Sequence, residues 1–161
     1  MRIYFDTSAF VKRYCEEEGS GMVNEIFESS NEIVTSYWTL AEATAAIDKK
    51  VIKGQINEEE RDFVLSLLFS DVLDRNITFV KISNEFIEAM IEIILTHHIS
   101  ADDALQLFSC IISFSPIFLA SDKSLIQAAK REGLNVFNVE NREEREELRK
   151  LLADSDQHVS D

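Results

Sequence analysis

The chain has 161 residues, 30 acidic side chains against 16 basic ones, a formal net charge of −14 and 45% hydrophobic residues. This is the length of one domain able to bury a core without disulfides or structural metal, and 4 Gly and 1 Pro leave no linker or collagen-like segment. The charge excludes broad nonspecific adhesion to nucleic acid, which depends on Lys and Arg at phosphates. No apolar run reaches the roughly 20 residues that cross a bilayer. Cys15 and Cys110 make no metal-ligand spacing, so reduced thiols in a cytoplasmic protein are expected. The chain enters a strand at Arg2, and no leader is expected.

Ile3–Phe5 predicts a short strand ended by the polar Asp6-Thr7-Ser8. A helical stretch through Phe10, Val11 and Tyr14 breaks at 16–21, and Met22, Val23, Ile26 and Phe27 then recur at helical spacing, predicting a helix over about 20–29. Glu32–Ser36 is the next strand. A helix over about 38–53 follows, with Gly54 placed at its C-terminal cap. Asn57 and Glu60 form a capping box for a helix to about Arg75. Ile77–Ile82 is strand-like, and Ser83 caps a helix to His97. Ser100 opens another helix to about Ser113. Ile117–Ala120 predicts a strand and Lys123–Glu132 a helix, stopped by Gly133 before the strand Asn135–Val139. Arg142–Leu152 forms a charged helix, and 154–161 is expected to fray.

Strands alternating with helices predict an α/β domain, a three-layer α/β/α sandwich on a mostly parallel sheet of about five strands. Residues 1–140 make the domain, and 141–161 a charged helix and tail. The helices over 57–75 and 83–97 are apolar on more than one side, so part of their surface is expected to meet a partner. Leu67, Leu68 and Phe69 point in successive directions and are not expected to share one core.

Four acids stand at the joints of this scheme. Asp6 and Asp122 directly follow apolar strands, while Glu42 and Asp103 sit near the starts of helices. In an open parallel sheet those positions line the carboxyl edge, where ligands bind. Carboxylates gathered there repel unless a cation holds them, and hard divalent ions prefer such oxygens. Each acid also has a local reading. Asp6 suits an Asx-turn, Glu42 the macrodipole, Asp103 a capping pair with Ser100, and Asp122 an N-cap. Thr7, Ser8 and Ser121 supply flanking hydroxyls. Asp102 diverges from Asp103 by about 100° around the helix. His97 and His98 suit a helix C-terminus rather than a ligand pair. Lys12, Arg13, Lys49, Lys50, Lys53 and Lys123 are candidates for phosphate contact, with solvated surface as the alternative.

The motifs Asp6-Thr7-Ser8-Ala9-Phe10-Val11-Lys12-Arg13-Tyr14, Leu40-Ala41-Glu42, Asp103-Ala104-Leu105-Gln106-Leu107 and Ser121-Asp122-Lys123-Ser124-Leu125, in this order, resemble the PIN-domain nucleases. They are most similar to the VapC-like ribonuclease toxins of type II toxin–antitoxin pairs. The resemblance covers about 2–139. It implies that Asp6, Glu42, Asp103 and Asp122 hold Mg²⁺ or Mn²⁺, with Thr7, Ser8, Asp102 and Ser121 as possible supports. It implies an endoribonuclease acting on RNA, a homodimer, and a cognate antitoxin with a basic or apolar inhibitory segment. Asp6 and Asp103 are then the central ligands, Asp122 completes the site, and Glu42 holds a water or a second ion. Phe108 stands where the family usually has a small residue. The alternatives are an RNA-processing or structure-specific PIN nuclease that is not a toxin, and an inactive PIN-like binding module. A haloacid-dehalogenase-like phosphatase needs a second Asp where this chain has Ser8.

Overall fold

A computed structural model describes residues 1–74 and 77–157. Five strands form one sheet: β1 (Arg2–Phe5), β2 (Glu32–Ser36), β3 (Ile77–Val80), β4 (Ile117–Leu119) and β5 (Asn135–Phe137). Their order is β3-β2-β1-β4-β5 and every pairing is parallel. The helices are α1 (Thr7–Phe10), α2 (Ser20–Glu28), α3 (Trp38–Ile52), α4 (Glu58–Asp74), α5 (Asn84–His97), α6 (Ala101–Ile112), α7 (Lys123–Arg131) and α8 (Arg142–Gln157), with a 3₁₀ turn at Val11–Arg13.

The two-residue period of the strands decides the layers. Ile3, Phe5, Ile33, Ile117, Leu119 and Phe137 join one core with residues of α1–α4 and α8. Tyr4, Val34, Phe118 and Val136, the intervening residues, join a second core with α5, α6 and α7. A sheet covered on both faces explains why these strands read as continuous apolar runs. The strand order reverses between β1 and β4, which are neighbours with Phe5 opposite Leu119.

Local signals set the helix ends. Asn57 and Glu60 exchange their backbone N–H bonds at 2.8 and 2.9 Å, the reciprocal capping box the sequence predicts. Gly133, at φ 78°, ends α7 with Leu134 N–H donating to Ala129 C=O. Ser83 does precede α5, but its hydroxyl donates to Glu85 instead of capping the backbone. β3 stops at Val80, short of Ile82. The end expected for α4, about Arg75, lies outside the described residues. α8 runs past Leu152 to Gln157, because no Gly or Pro interrupts it and Leu148 anchors it in the first core. The rest of the expected tail, from 158, is outside the described residues.

The surface of α4 separates its three successive apolar residues, as their directions around the helix predict. Leu67 and Phe69 are exposed, but Leu68 is fully buried in the first core. A residue's direction around α4, not the greasiness of its neighbours, settles its place. Phe63 and Leu73 on α4, and Ile87, Ile91 and Leu95 on α5, remain exposed. Phe108 packs edge-on against Phe86 of α5 at 4.7 Å. His97 is buried, with Nε2 2.6 Å from Glu132 Oε1.

Gly19 joins the beginning of the chain to its last crossover. Its φ is +92°, and a Cβ there would stand 2.4 Å from the carbonyl oxygen of Val139. Neither obstacle is the tip of a flexible side chain, so the backbone must move. Gly19→Ala is therefore expected to cost about 2–4 kcal/mol, read as a lower urea midpoint with an unchanged slope. A midpoint within error of wild type would mean that the 16–19 loop shifts freely.

Candidate active site at the carboxyl edge of the sheet

Asp6 leaves β1 at the strand-order reversal, with its N–H donating to Leu119 C=O of β4 at 2.9 Å. Its side chain is 6% exposed. Ser8 gives Asp6 Oδ2 two hydrogen bonds, from N–H at 3.0 Å and from Oγ at 2.6 Å. Ser8 Oγ in turn accepts the N–H of Ser121 at 2.9 Å, so it ties the end of β1 to the end of β4. Burial raises the Asp6 pKa above the ordinary carboxylate range; the bonds to Ser8 and Thr7 oppose this, and Asp103 adds to the rise.

Glu42 lies on α3, half-buried. Its Oε2 accepts Thr7 Oγ1 at 2.5 Å and Gln106 Nε2 at 2.6 Å. Its pKa is raised too, by burial first and by Asp6 and Asp102 in addition, against the pull of Thr7 and Gln106. Asp103 occupies the first turn of α6, where its N–H donates to Ser100 Oγ at 3.1 Å. Burial is again the largest cause of its raised pKa, with Asp122 and Asp102 pushing the same way and Ser100 opposing. Asp122 is exposed and caps α7, accepting Ser124 N–H, Ser124 Oγ and Leu125 N–H at 2.8, 2.6 and 3.0 Å. The Ser124 hydroxyl leads in holding its pKa below the usual value.

The four acids thus occupy one edge of the sheet, and beyond the effect of burial, neighbouring acids add to the raised pKa of three of them: Asp103 at Asp6, Asp6 at Glu42 and Asp122 at Asp103. Three keep a local structural job as well: Asp6 and Asp122 are N-caps, and Asp103 pairs with Ser100. They do not close into a cage. Among the described residues, no three His, Cys, Asp or Glu side chains stand close enough together to grip an ion as a group. The donor set nonetheless fits a hard divalent ion. It is all oxygen, none of the four forms an ion pair among the described residues, and Ser121 Oγ is buried beside them without a hydrogen-bond partner. Mg²⁺ needs only one or two carboxylates when it retains its waters.

Gln106 is the residue that sequence reasoning missed. It is 1% exposed, accepts Tyr4 OH at 2.7 Å through Oε1, and places Nε2 within 3.0 Å of Thr7 Oγ1 and 3.1 Å of Thr39 Oγ1 besides Glu42. Thr39 belongs to a further buried chain, in which Thr35 Oγ1 donates to Phe5 C=O at 2.7 Å. The available signal was a lone amide in the apolar run Leu105-Gln106-Leu107, three residues past Asp103 and so on the same helical side. Lys12 corrects another expectation. It is 3% exposed in its side chain and bound to Glu17 and Glu140, so it is not a solvated contact for phosphate.

The sequence matches the model of the PIN domain over residues 3–131. Among solved structures, the fold is similar to VapC20 of Mycobacterium tuberculosis, described as a sarcin-ricin loop cleaving toxin, with TM-score 0.61, 14% identity, and coverage of 78% of this chain and 94% of that one. VapBC2 of Rickettsia felis, solved bound to a DNA fragment of its promoter, gives TM-score 0.61 and 17% identity over 86% and 98% of the two chains. FitAcB of Neisseria gonorrhoeae gives 0.58 and 16% over 85% and 97%. No curated protein matches the sequence. With a family match spanning most of its length and a five-stranded parallel sheet carrying acids at its strand-order reversal, this chain belongs to the PIN-domain family.

Proposed function

We propose that the chain is a Mg²⁺- or Mn²⁺-dependent endoribonuclease and the toxin of a toxin–antitoxin pair. The observation that carries this reading is Asp6: a carboxylate at the switch point of the sheet that forms no ion pair among the described residues and whose burial, above all, raises its pKa. Asp6, Asp103 and Asp122 would hold the ion, and Glu42 a water or a second ion. When bound, the ion supplies Lewis acidity toward the scissile phosphate and the attacking water. The chain itself fixes the donors. Ser8 occupies Oδ2 of Asp6, while Thr7 and Gln106 fix Oε2 of Glu42. Thr7, Ser8, Asp102 and Ser121 support the edge around them.

Exposed apolar side chains on α4 and α5, Leu73 and Leu95 among them, supply surface for a second copy and for an antitoxin segment. A basic group on such a segment would suit the acidic edge, since a guanidinium matches carboxylates bidentately.

The test is incubation of defined RNAs with the chain in Mg²⁺, in Mn²⁺ and in EDTA. Internal cleavage leaving 5′-phosphate and 3′-hydroxyl ends is expected with either ion and not in EDTA. Cleavage that persists in EDTA removes the metal, and intact RNA under every condition removes the nuclease.

A further inference from the structure

α3 carries more than Glu42 on the side that faces the site. Residues 38, 42, 46, 49 and 53 fall within an arc of about 80° around a helix of 3.6 residues per turn. They are Trp38, Glu42, Ala46, Lys49 and Lys53. Lys53 lies one residue beyond the last turn, on the same line. Trp38 is 43% exposed, and Lys49 and Lys53 are exposed.

Beyond Glu42 this line runs into a cavity of about 250 Å³, lined by Ala46, Lys49 and Lys53 together with Thr7 and Ser8. Thr7 and Ser8 are the hydroxyls bonded to Glu42 and Asp6, so the cavity is one hydroxyl removed from these two acids, and Glu17 and Glu140 are the carboxylates in its own wall. Four lysines line it, in a chain with nearly twice as many acids as bases. Lys12 is taken by Glu17 and Glu140, and Lys50 by Glu17 at 2.5 Å. Lys49 and Lys53 form no ion pair among the described residues. Two uncommitted cations therefore stand about 10 and 16 Å from Glu42 along the helix, with one exposed indole about 6 Å away on its other side.

We propose that this face of α3 is the track for a single RNA strand. One base stacks on Trp38, the scissile phosphodiester lies at Glu42 and Asp6, and phosphates a few nucleotides along the other way meet Lys49 and Lys53. Aromatic stacking with cations on the backbone is the general means of holding a single strand without reading its sequence. The assignment rests on the nuclease reading for the role of the acids. It goes further in naming the residues that grip the strand on either side.

Trp38 is the only tryptophan, so intrinsic fluorescence reports on this one position. The whole chain is titrated with a short mixed-sequence single-stranded RNA, with Ca²⁺ in place of Mg²⁺. Saturable quenching of Trp38 emission is expected. The double variant Lys49→Ala, Lys53→Ala should bind about tenfold more weakly, and its slope of log affinity against log salt should shrink by about 1.4, the share of two single-strand phosphate contacts. Trp38→Ala, followed by anisotropy of a labelled RNA, should lose about tenfold. Lys150→Ala, in α8, should leave binding unchanged, and all variants should melt with wild type. Trp38 emission unaltered at saturation, or lysine variants binding as tightly as Lys150→Ala, overturns the proposal. A chain that cleaves RNA yet is indifferent to these residues loses the track and keeps the nuclease. A chain that binds as described but never cleaves in Mg²⁺ or Mn²⁺ loses the nuclease and keeps the track.

Discussion

Asp6→Asn and Asp103→Asn should each lose cleavage by at least about a hundredfold, the usual loss when a group placed for transition-state charge is removed, and yet melt higher than wild type in EDTA. Burial is the first cause of the raised pKa of both carboxyls. A carboxyl that holds its proton more tightly when folded stabilises the protein below the ordinary carboxylate range. That contribution is lost as pH climbs through the raised value. Metal-free wild type should therefore gain stability on mild acidification from neutral pH, until protonation of well-paired acids such as Glu17 and Glu32 reverses the trend. An asparagine carries no charge to bury and still accepts the Ser8 N–H, so it avoids the penalty and keeps the cap. Each kcal/mol gained should appear as about 2–4 °C for a domain of this size.

Added Mn²⁺ should invert the ranking, raising wild type by mass action and the variants less. Asp122→Asn provides the contrast, because the Asp122 pKa is lowered and its ionised form is already favoured by Ser124. It should gain nothing in EDTA. Melting curves across pH, with and without Mn²⁺, decide the matter. An Asp6→Asn protein that melts below wild type in EDTA would make Asp6 a structural turn residue.

Gln106→Leu is expected to combine a stability loss of about 2–4 kcal/mol with a fall in kcat. The change leaves the hydroxyl of fully buried Tyr4 without its 2.7 Å acceptor and strips one of two donors from Glu42. Gln106→Glu separates the two effects. It retains an acceptor for Tyr4 but sets a second carboxylate against Glu42, so its stability should recover in acid or with divalent metal where that of Gln106→Leu does not. Urea unfolding and single-turnover cleavage measure both. If Gln106→Leu cleaves at the wild-type rate, Thr7 alone is enough to hold Glu42.

Period and punctuation made most of the fold legible. Ile3, Tyr4 and Phe5 read as a buried strand because both faces of the sheet are covered. Asn57 with Glu60, and Gly133 with Leu134, announced their helix ends because those bonds are local in sequence. The acids were legible as positions, since strand ends and helix starts on one edge follow from topology. Tertiary contacts were not. The 2.6 Å bond from Gln106 to Glu42 spans 64 residues, and Lys12 reaches Glu140 across 128. Leu67, Leu68 and Phe69 are alike in composition, and only the placement of α4 on the sheet decides that Leu68 is core.

The pairing of β1 with β4 sets Tyr4 beside Phe118. Asp6 precedes by more than a hundred residues the strand whose end completes its surroundings. The segment between must fold first or wait, because a parallel partner so distant in sequence is a slow contact to form. Until β4 emerges, Asp6 has neither the Leu119 carbonyl for its N–H nor the Ser121 N–H that Ser8 holds. An unfinished polypeptide, or one truncated before Ile117, thus carries the first acid of the edge without the edge itself. Whatever chemistry this edge performs, the cell making the protein is exposed to it only after the ribosome has passed Ser121.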